Sequence, residues 1–409
     1  MTLRAPPKIA DGPLLAFSAR RGGAKLAPLE SRTRRTPSVR SLSLPYVNAW
    51  ALSPAGSTLA VAVHAHPINE PNLVDFVSLP LLRTNWPRVR LAGDVSALAW
   101  TGKARVAALV GDLLCCPAEL SVVLIDPRAG RILSRDRVPG TVLSVDRWPR
   151  GLVLLSSPSD GIGPATVVVV DARGMRQIQL AQRAGFESSA GGVSNHWIPG
   201  FASDASGAIA YVIDPSGAVA AVDLSTLQIS YHVLTLEANA AQGNGSRTLS
   251  QSQKRAEGSI RMARWLGGGI LALTGKDSRG TTEAAGLQLV NVHDWSLRVL
   301  DRGADSFAVA DGLLLATGGR SHAPRAGIGL KAYGATGKQR LRLFAGRTVF
   351  VDVVLAHRAY VSGFGWDRVR VVDLKARPVI TTISAAGLAD PLLGRGSLPA
   401  SFGYPGRSR

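Results

Sequence analysis

Two cysteines stand side by side in GDLLCCPAEL, as Cys115 and Cys116. Adjacent thiols can close into a strained vicinal disulfide, a redox-sensitive clip; reduced, they are two half-buried thiols in a loop. The compartment decides, because disulfides persist in oxidising surroundings and are reduced in the cytosol. Two cysteines without C-x-x-C spacing do not build a structural zinc site. In VAVHAHPINE, His64 and His66 alternate along an extended segment with Glu70 nearby. Two imidazoles and a carboxylate can hold a metal, although solvated histidines at a loop end explain the same spelling. The other histidines, His196, His232, His293, His322 and His357, are scattered. The sequence contains no G-x-S-x-G elbow, no H-E-x-x-H and no P-loop, and GGRSHAPRAGIGL (Gly318 to Leu330) departs from dinucleotide-binding spacing. The expectation is therefore no catalytic residue, no cofactor and no metal, with Cys115 and Cys116 as the one candidate redox pair.

The elements that would position such residues are spelled repeatedly. TVVVVDARGMRQIQL (Thr166 to Leu180) has counterparts in SVVLIDPRAGRIL, GAVAAVDLSTLQIS, GLQLVNVHDWSLRVL and DRVRVVDLKARPVITT, with weaker copies at Asn72 to Arg83, Gly327 to Leu343 and Ala24 to Arg35. The residue closing the first apolar run is Glu30, Ser78, Asp126, Asp171, Asp223, Asn291, Tyr333 or Asp373. Most intervals are about 40 to 52 residues, the period of four-stranded propeller blades. An insertion lengthens the interval from Asp223 to Asn291. Val, Ile and Leu suit a pleated surface, and a continuous run suggests burial on both faces. Asp and Asn hydrogen-bond to backbone two residues on and Gly accepts positive φ, so these aspartates read as turn residues rather than catalytic carboxylates.

A second hairpin precedes each copy, as in NAWALSPAGSTLAVAV, SALAWTGKARVAALV and RMARWLGGGILALTG. Two hairpins make a four-stranded antiparallel sheet, and radial packing of such sheets buries both faces of each. Trp50, Trp100, Trp148 and Trp265 recur near the end of the first strand, where a large ring can fill the wedge between blades. SPAGSTLAVAV with VVLIDPRAGRIL resembles the YVTN-type and WD-type repeat propellers, which carry S-P-D-G-like and φ-φ-D-x-x-[TS]-G-like turns. Ala55 replaces the usual Asp, and the Gly-His and Trp-Asp pair of strict WD repeats is missing, so the likeness is to the YVTN side. It implies an all-β fold, one propeller of seven or eight blades. Eight are expected if the segment around Asp390 to Gly394 supplies the first strand that the amino-terminal unit lacks.

The expected organisation is an extension over 1–12, a propeller over 13–394 and a tail over 395–409. Its units fall near 13–45, 46–93, 94–140, 141–183, 199–236, 259–303, 304–346 and 347–386. Three stretches read as long loops: Ala181 to Pro199, Leu236 to Ser259, partly helical at SQKRAEG, and Lys276 to Gly286.

Of 409 residues, 46% are apolar and 18% charged, the composition of a folded chain with a large core. No apolar window of about 18 residues exists to cross a membrane as a helix. The amino end offers only PLLAF where a secretory signal needs about 7 to 15 apolar residues. A cytoplasmic setting is the default expectation, with export or the cell envelope as the alternative if the true start lies upstream. The net charge of +19 is spread over dispersed arginines, as in a bacterial Arg-, Ala- and Gly-rich genome, which argues against nucleic-acid binding. The reading is a monomeric, non-enzymatic scaffold for a protein or small ligand. The alternative is a propeller enzyme resembling lactonases or quinone-dependent dehydrogenases, with a metal or cofactor on the ring axis.

Overall fold

A computed structural model describes residues 14–393, apart from connections at 21–22, 30–41, 65–71, 112–119, 189–193, 237–259, 277–285, 320–326, 375–379 and 385–391 and some isolated turn residues. The described residues form eight antiparallel sheets, the blades of one propeller. In the second blade the strands from axis to rim are Tyr46–Leu52, Thr58–His64, Asn72–Ser78 and Arg83–Thr84, with Val89–Leu91 also on the third. The third blade is Asp94–Thr101, Arg105–Gly111, Ser121–Asp126 and Arg131–Arg137, and the fourth is Thr141–Trp148, Gly151–Ser157, Ile162–Asp171, Gly174–Ser188 and Ser194–Trp197. The fifth comprises Gly200–Ser203, Ile209–Ile213, Ala218–Asp223 and Ile229–Val233. The sixth has Ile260–Gly267, Ile270–Lys276, Leu287–Asn291 and Ser296–Asp301, edged by Thr235–Leu236 in parallel. The seventh runs Ser306–Ala310, Leu313–Gly318, Gly329–Tyr333 and Gln339–Leu343, and the eighth Val349–Leu355, Arg358–Gly363, Arg368–Asp373 and Ile380–Ser384. Among the described residues no helix is long and apolar enough to cross a membrane.

The first blade closes the ring. Its strands Leu14–Arg20, Gly23–Leu29 and Leu42–Leu44 receive an innermost partner from the far end of the chain, where Leu393 pairs with Leu15 and Leu392 with Ala16. This is the closure expected from the missing first strand.

Alternate residues of one strand serve two seams. Val167 and Val169 pack with Val212 and Val222 of the fifth blade, whereas Val168 and Val170 pack with Leu109 and Val122 of the third. The four-valine run is therefore buried on both sides, each side chain contributing about 1.5–3 kcal/mol. The same division recurs in the third, fifth, sixth and seventh blades. Trp100 fills one wedge and donates Nε1–H to Ala51 O of the second blade at 3.0 Å. Trp265 fills another, stacked on Tyr211 of the fifth blade at 5.6 Å.

The residues that close the repeated apolar run, from Ser78 through Asp126, Asp171, Asp223, Asn291 and Tyr333 to Asp373, each end the third strand of a blade. Asp126 Oδ1 accepts the N–H groups of Arg128 and Ala129, both at 3.1 Å. Asp223 Oδ1 accepts those of Ser225 and Thr226, both at 2.8 Å. These carboxylates hold turns, as their spelling implies. The Ser225 hydroxyl and the Thr226 N–H depress the Asp223 carboxyl to about 2. Four residues on, the chain turns left-handed at Gly130, Leu227, Trp295 and Gly337, with φ of 63°, 60°, 58° and 78°.

One expectation fails. Ala181 to Pro199 is not a loop: Gly174–Ser188 continues as one strand and Ser194–Trp197 returns along it, pairing Gly185 with Trp197 and Ser188 with Ser194. Leu180, Gln182 and Ala184 are buried and alternate with exposed Ala181 and Arg183, the period of a strand. Gly185 lets this extension form. Its φ is 136°, and a Cβ there would stand 2.1 Å from Gly161 O.

Candidate functional site

Strand alternation sorts the connections onto two faces. First-to-second and third-to-fourth connections leave one face, and second-to-third connections leave the other together with the passages between blades. From the second blade to the eighth, the first face carries short turns, such as Trp148 to Gly151, Ala310 to Leu313 and Asp126 to Arg131. The other carries connections 65–71, 112–120, 277–286 and 319–328, the passage from Val233 to Ile260, and the extension of the fourth blade. Loops on a rigid scaffold are where binding residues concentrate. This face is the candidate site.

Its described parts are held by bonds between blades. Trp197, at the end of the extension, donates Nε1–H to Asp214 Oδ2 in the second-to-third turn of the fifth blade, at 2.9 Å. The next residue, Ile198, accepts the Arg261 N–H at 2.8 Å and bridges in parallel to Ile260. Arg261, 3% exposed, sends Nη2 to Pro215 O at 3.1 Å. Where the extension passes into the fifth blade, the chain is thus bonded to that blade's turn and to the sixth blade. Between the second and third blades, Asn72 Nδ2 donates to Gly93 O at 2.9 Å and to Asp94 Oδ1 at 3.0 Å. On the rim of the same face, Phe344 adopts a left-handed backbone (φ 53°) and meets Trp366 edge to face at 5.2 Å, with the Arg370 guanidinium 5.0 Å over the Trp366 ring.

Between the sixth and seventh blades, Asp301 Oδ2 accepts from Lys331 Nζ at 2.7 Å and from Tyr333 Oη at 2.6 Å, and Oδ1 accepts the Gly303 N–H at 3.0 Å. Burial pushes this carboxyl up, but Lys331, Tyr333 and Gly303 outweigh it and hold it below the usual range. Burial, reinforced by Asp301, pushes the Tyr333 hydroxyl well up. All partners are internal, so the cluster is a lock rather than a reactive centre.

Cys115, Cys116, His66, Glu70 and His322, and the helix expected at SQKRAEG, lie outside the described residues. His64 ends the second strand of its blade. The other histidines do not converge. His196 sits in the extension, His232 on the rim of the fifth blade, and His293 and His357 in turns of the opposite face. Among the described residues, no three of His, Cys, Asp and Glu come together as metal ligands do. On an innermost strand, Asp146 Oδ2 accepts the N–H and hydroxyl of Ser203 from the next blade, at 2.7 and 2.8 Å.

Sequence reasoning missed Trp197, Asp214 and Arg261 as framing residues. The alternating LAQRA was the available signal for the extension, whereas the contacts themselves join residues 17 and 46 positions apart.

No protein-family model matches the chain, and no curated protein does. Among solved structures the chain is similar to BamB from Moraxella catarrhalis, at 12% identity over 85% of this chain and 92% of that one, with a TM-score of 0.42. At that distance the likeness speaks to neither partner nor activity.

Proposed function

We propose that the chain is a YVTN-like, non-enzymatic propeller that holds a protein partner on the face formed by the second-to-third connections and the passages between blades. The carrying observation is the asymmetry of the ring: the long second-to-third connections of the second, third, sixth and seventh blades, the passage from Val233 to Ile260 and the fourth-blade extension all leave one face, while from the second blade to the eighth the connections of the other span six residues or fewer. Rigid support for that face comes from the Trp197–Asp214 and Arg261–Pro215 bonds. The reading without catalysis is supported by dispersed histidines and by the engagement of Asp146 with Ser203 on the inner strands.

The test is site-specific photocrosslinking in the native cell. A crosslinking residue at exposed Ser159 or Arg347 samples the proposed face, and one at exposed Thr226 or Asp294 samples the other. Discrete protein adducts from Ser159 and Arg347 alone are expected. Adducts confined to Thr226 and Asp294 would overturn the assignment.

A further inference from the structure

A second surface lies on the rim, away from that face. The outermost strand of the third blade, Arg131–Arg137, pairs on its inner side with Ser121–Asp126 and on its outer side with no described strand. Its Ile132 and Leu133 are 47% and 38% exposed. Four arginines on this strand, the turn before it and the adjoining edge of the second blade have no carboxylate partner among the described residues. Arg90 and Arg131 are exposed; Arg128 lies 6.0 Å over the Trp86 ring; Arg135 Nη2 donates to Ala92 O at 2.8 Å. A ring face and a carbonyl orient a guanidinium and leave its charge uncompensated. Neighbouring Arg88 is the contrast, neutralised by buried Asp75 at 2.6 Å.

Charge on an edge strand commonly serves only to discourage pairing with other chains. That explains Gln339–Leu343, where Arg340 and Arg342 are exposed but Leu341 and Leu343 are half-buried. It does not explain two adjacent aliphatic side chains left open. Elsewhere the rim differs again: Ile229–Val233 exposes Tyr231 and Val233 without a formal charge, and the outermost strands of the fourth and sixth blades, lined in part by Ser194–Trp197 and Thr235–Leu236, expose no large aliphatic side chain among their described residues. Among outermost strands with described side chains, the third blade alone joins an open edge, exposed aliphatics and uncompensated cations.

We propose that this edge docks an acidic, extended segment of a partner protein, which adds as a further strand. Its backbone would pair with the free edge, its apolar residues cover Ile132 and Leu133, and its carboxylates meet Arg90, Arg128, Arg131 and Arg135. A second copy of this chain is the wrong occupant, because at +19 it brings the same arginines to the same place. A nucleic acid would use the charges but not Ile132 and Leu133.

The experiment measures fluorescence anisotropy with the full chain and three labelled probes: a decapeptide alternating Glu and Val, its Lys–Val counterpart, and a thymidine oligonucleotide of about 20 nucleotides. The Glu–Val peptide is expected to bind more tightly than the other two, and more weakly as salt rises. Arg128→Glu with Arg131→Glu should weaken it about tenfold or more. Ile132→Ser with Leu133→Ser, which keeps every charge, should weaken it severalfold with the salt dependence unchanged. Shortening connection 319–328 should leave it intact, separating this surface from the proposed partner face. Absence of peptide binding, equal binding by either pair of variants, or preference for the oligonucleotide would overturn the proposal.

Discussion

The indole of Trp295 lies on the imidazole of His232, ring centroids 4.1 Å apart and planes 18° from parallel. Trp295 does so from a left-handed backbone, φ 58°, at the turn position where the third and seventh blades have glycine. That conformation costs a bulky residue about 1–2 kcal/mol. The ring contacts with His232 and, edge-on, with Tyr211 at 6.2 Å offset it. Trp295→Ala should therefore lose the contacts and keep the strain, while Trp295→Gly loses the contacts and relieves it. Urea denaturation should find the glycine variant more stable than the alanine variant by about 1 kcal/mol. Equal midpoints would remove strain from the account.

Asp301 joins the sixth and seventh blades through Lys331 and Tyr333. Asp301→Asn leaves the Lys331 ammonium largely buried without its counter-charge and should cost about 3 kcal/mol at neutral pH. The native carboxyl is held below its usual 3.8. Its contribution is thus complete above that value and is lost as pH falls through the lower folded one. Denaturation midpoints of parent and variant should be furthest apart at neutral pH and draw together as pH falls below 3.8. A constant gap would exclude the carboxylate as its source.

His196 responds in a different window. Burial lowers its imidazole below the ordinary 6.5, and its ring meets Phe186 edge-on at 5.2 Å. A depressed folded value favours the neutral ring, so its contribution is full above 6.5 and shrinks as pH falls. Amide exchange, corrected for intrinsic rates, should accelerate in Gly185–Ser188 and Ser194–Trp197 between about pH 7 and pH 5.5. His196→Gln should flatten that response. Acceleration spread evenly over the ring would point to a different group.

The turn carboxylates make a simpler case. Asp223→Ala removes an acceptor of two backbone N–H groups, at a cost of about 1 kcal/mol, and Asp126→Ala should behave alike. Thermal unfolding of the two variants checks the equivalence. A neutral Asp223→Ala would mean that the backbone turn stands without its cap.

Ring, blade strands and closure were legible because each rests on a local signal repeated along the chain. The third strand of a blade ends where Asp126, Asp223 or Asn291 stands, and the unit lacking a first strand at one end finds one at Leu392–Leu393. The extension was legible in the alternation of Leu180, Gln182 and Ala184, but Gly185 reads as a break until Gly161 is seen against it. The candidate face is a further case. Its long connections can be read along the chain, yet their gathering on one side follows from strand direction. Cross-blade locks such as Asp301 with Lys331, 30 residues apart, leave no pattern in the sequence, since either residue alone looks like ordinary surface charge.

The closure of the first blade sets an order on synthesis. Leu14–Arg20 leaves the ribosome more than 370 residues before its inner partner Leu392–Leu393. At roughly 5–20 residues per second, that edge waits tens of seconds while the intervening blades are made. The nascent chain therefore holds an unfinished sheet until those residues are made, and for that interval a chaperone or a neighbouring nascent chain competes for the place that Leu392 and Leu393 finally take.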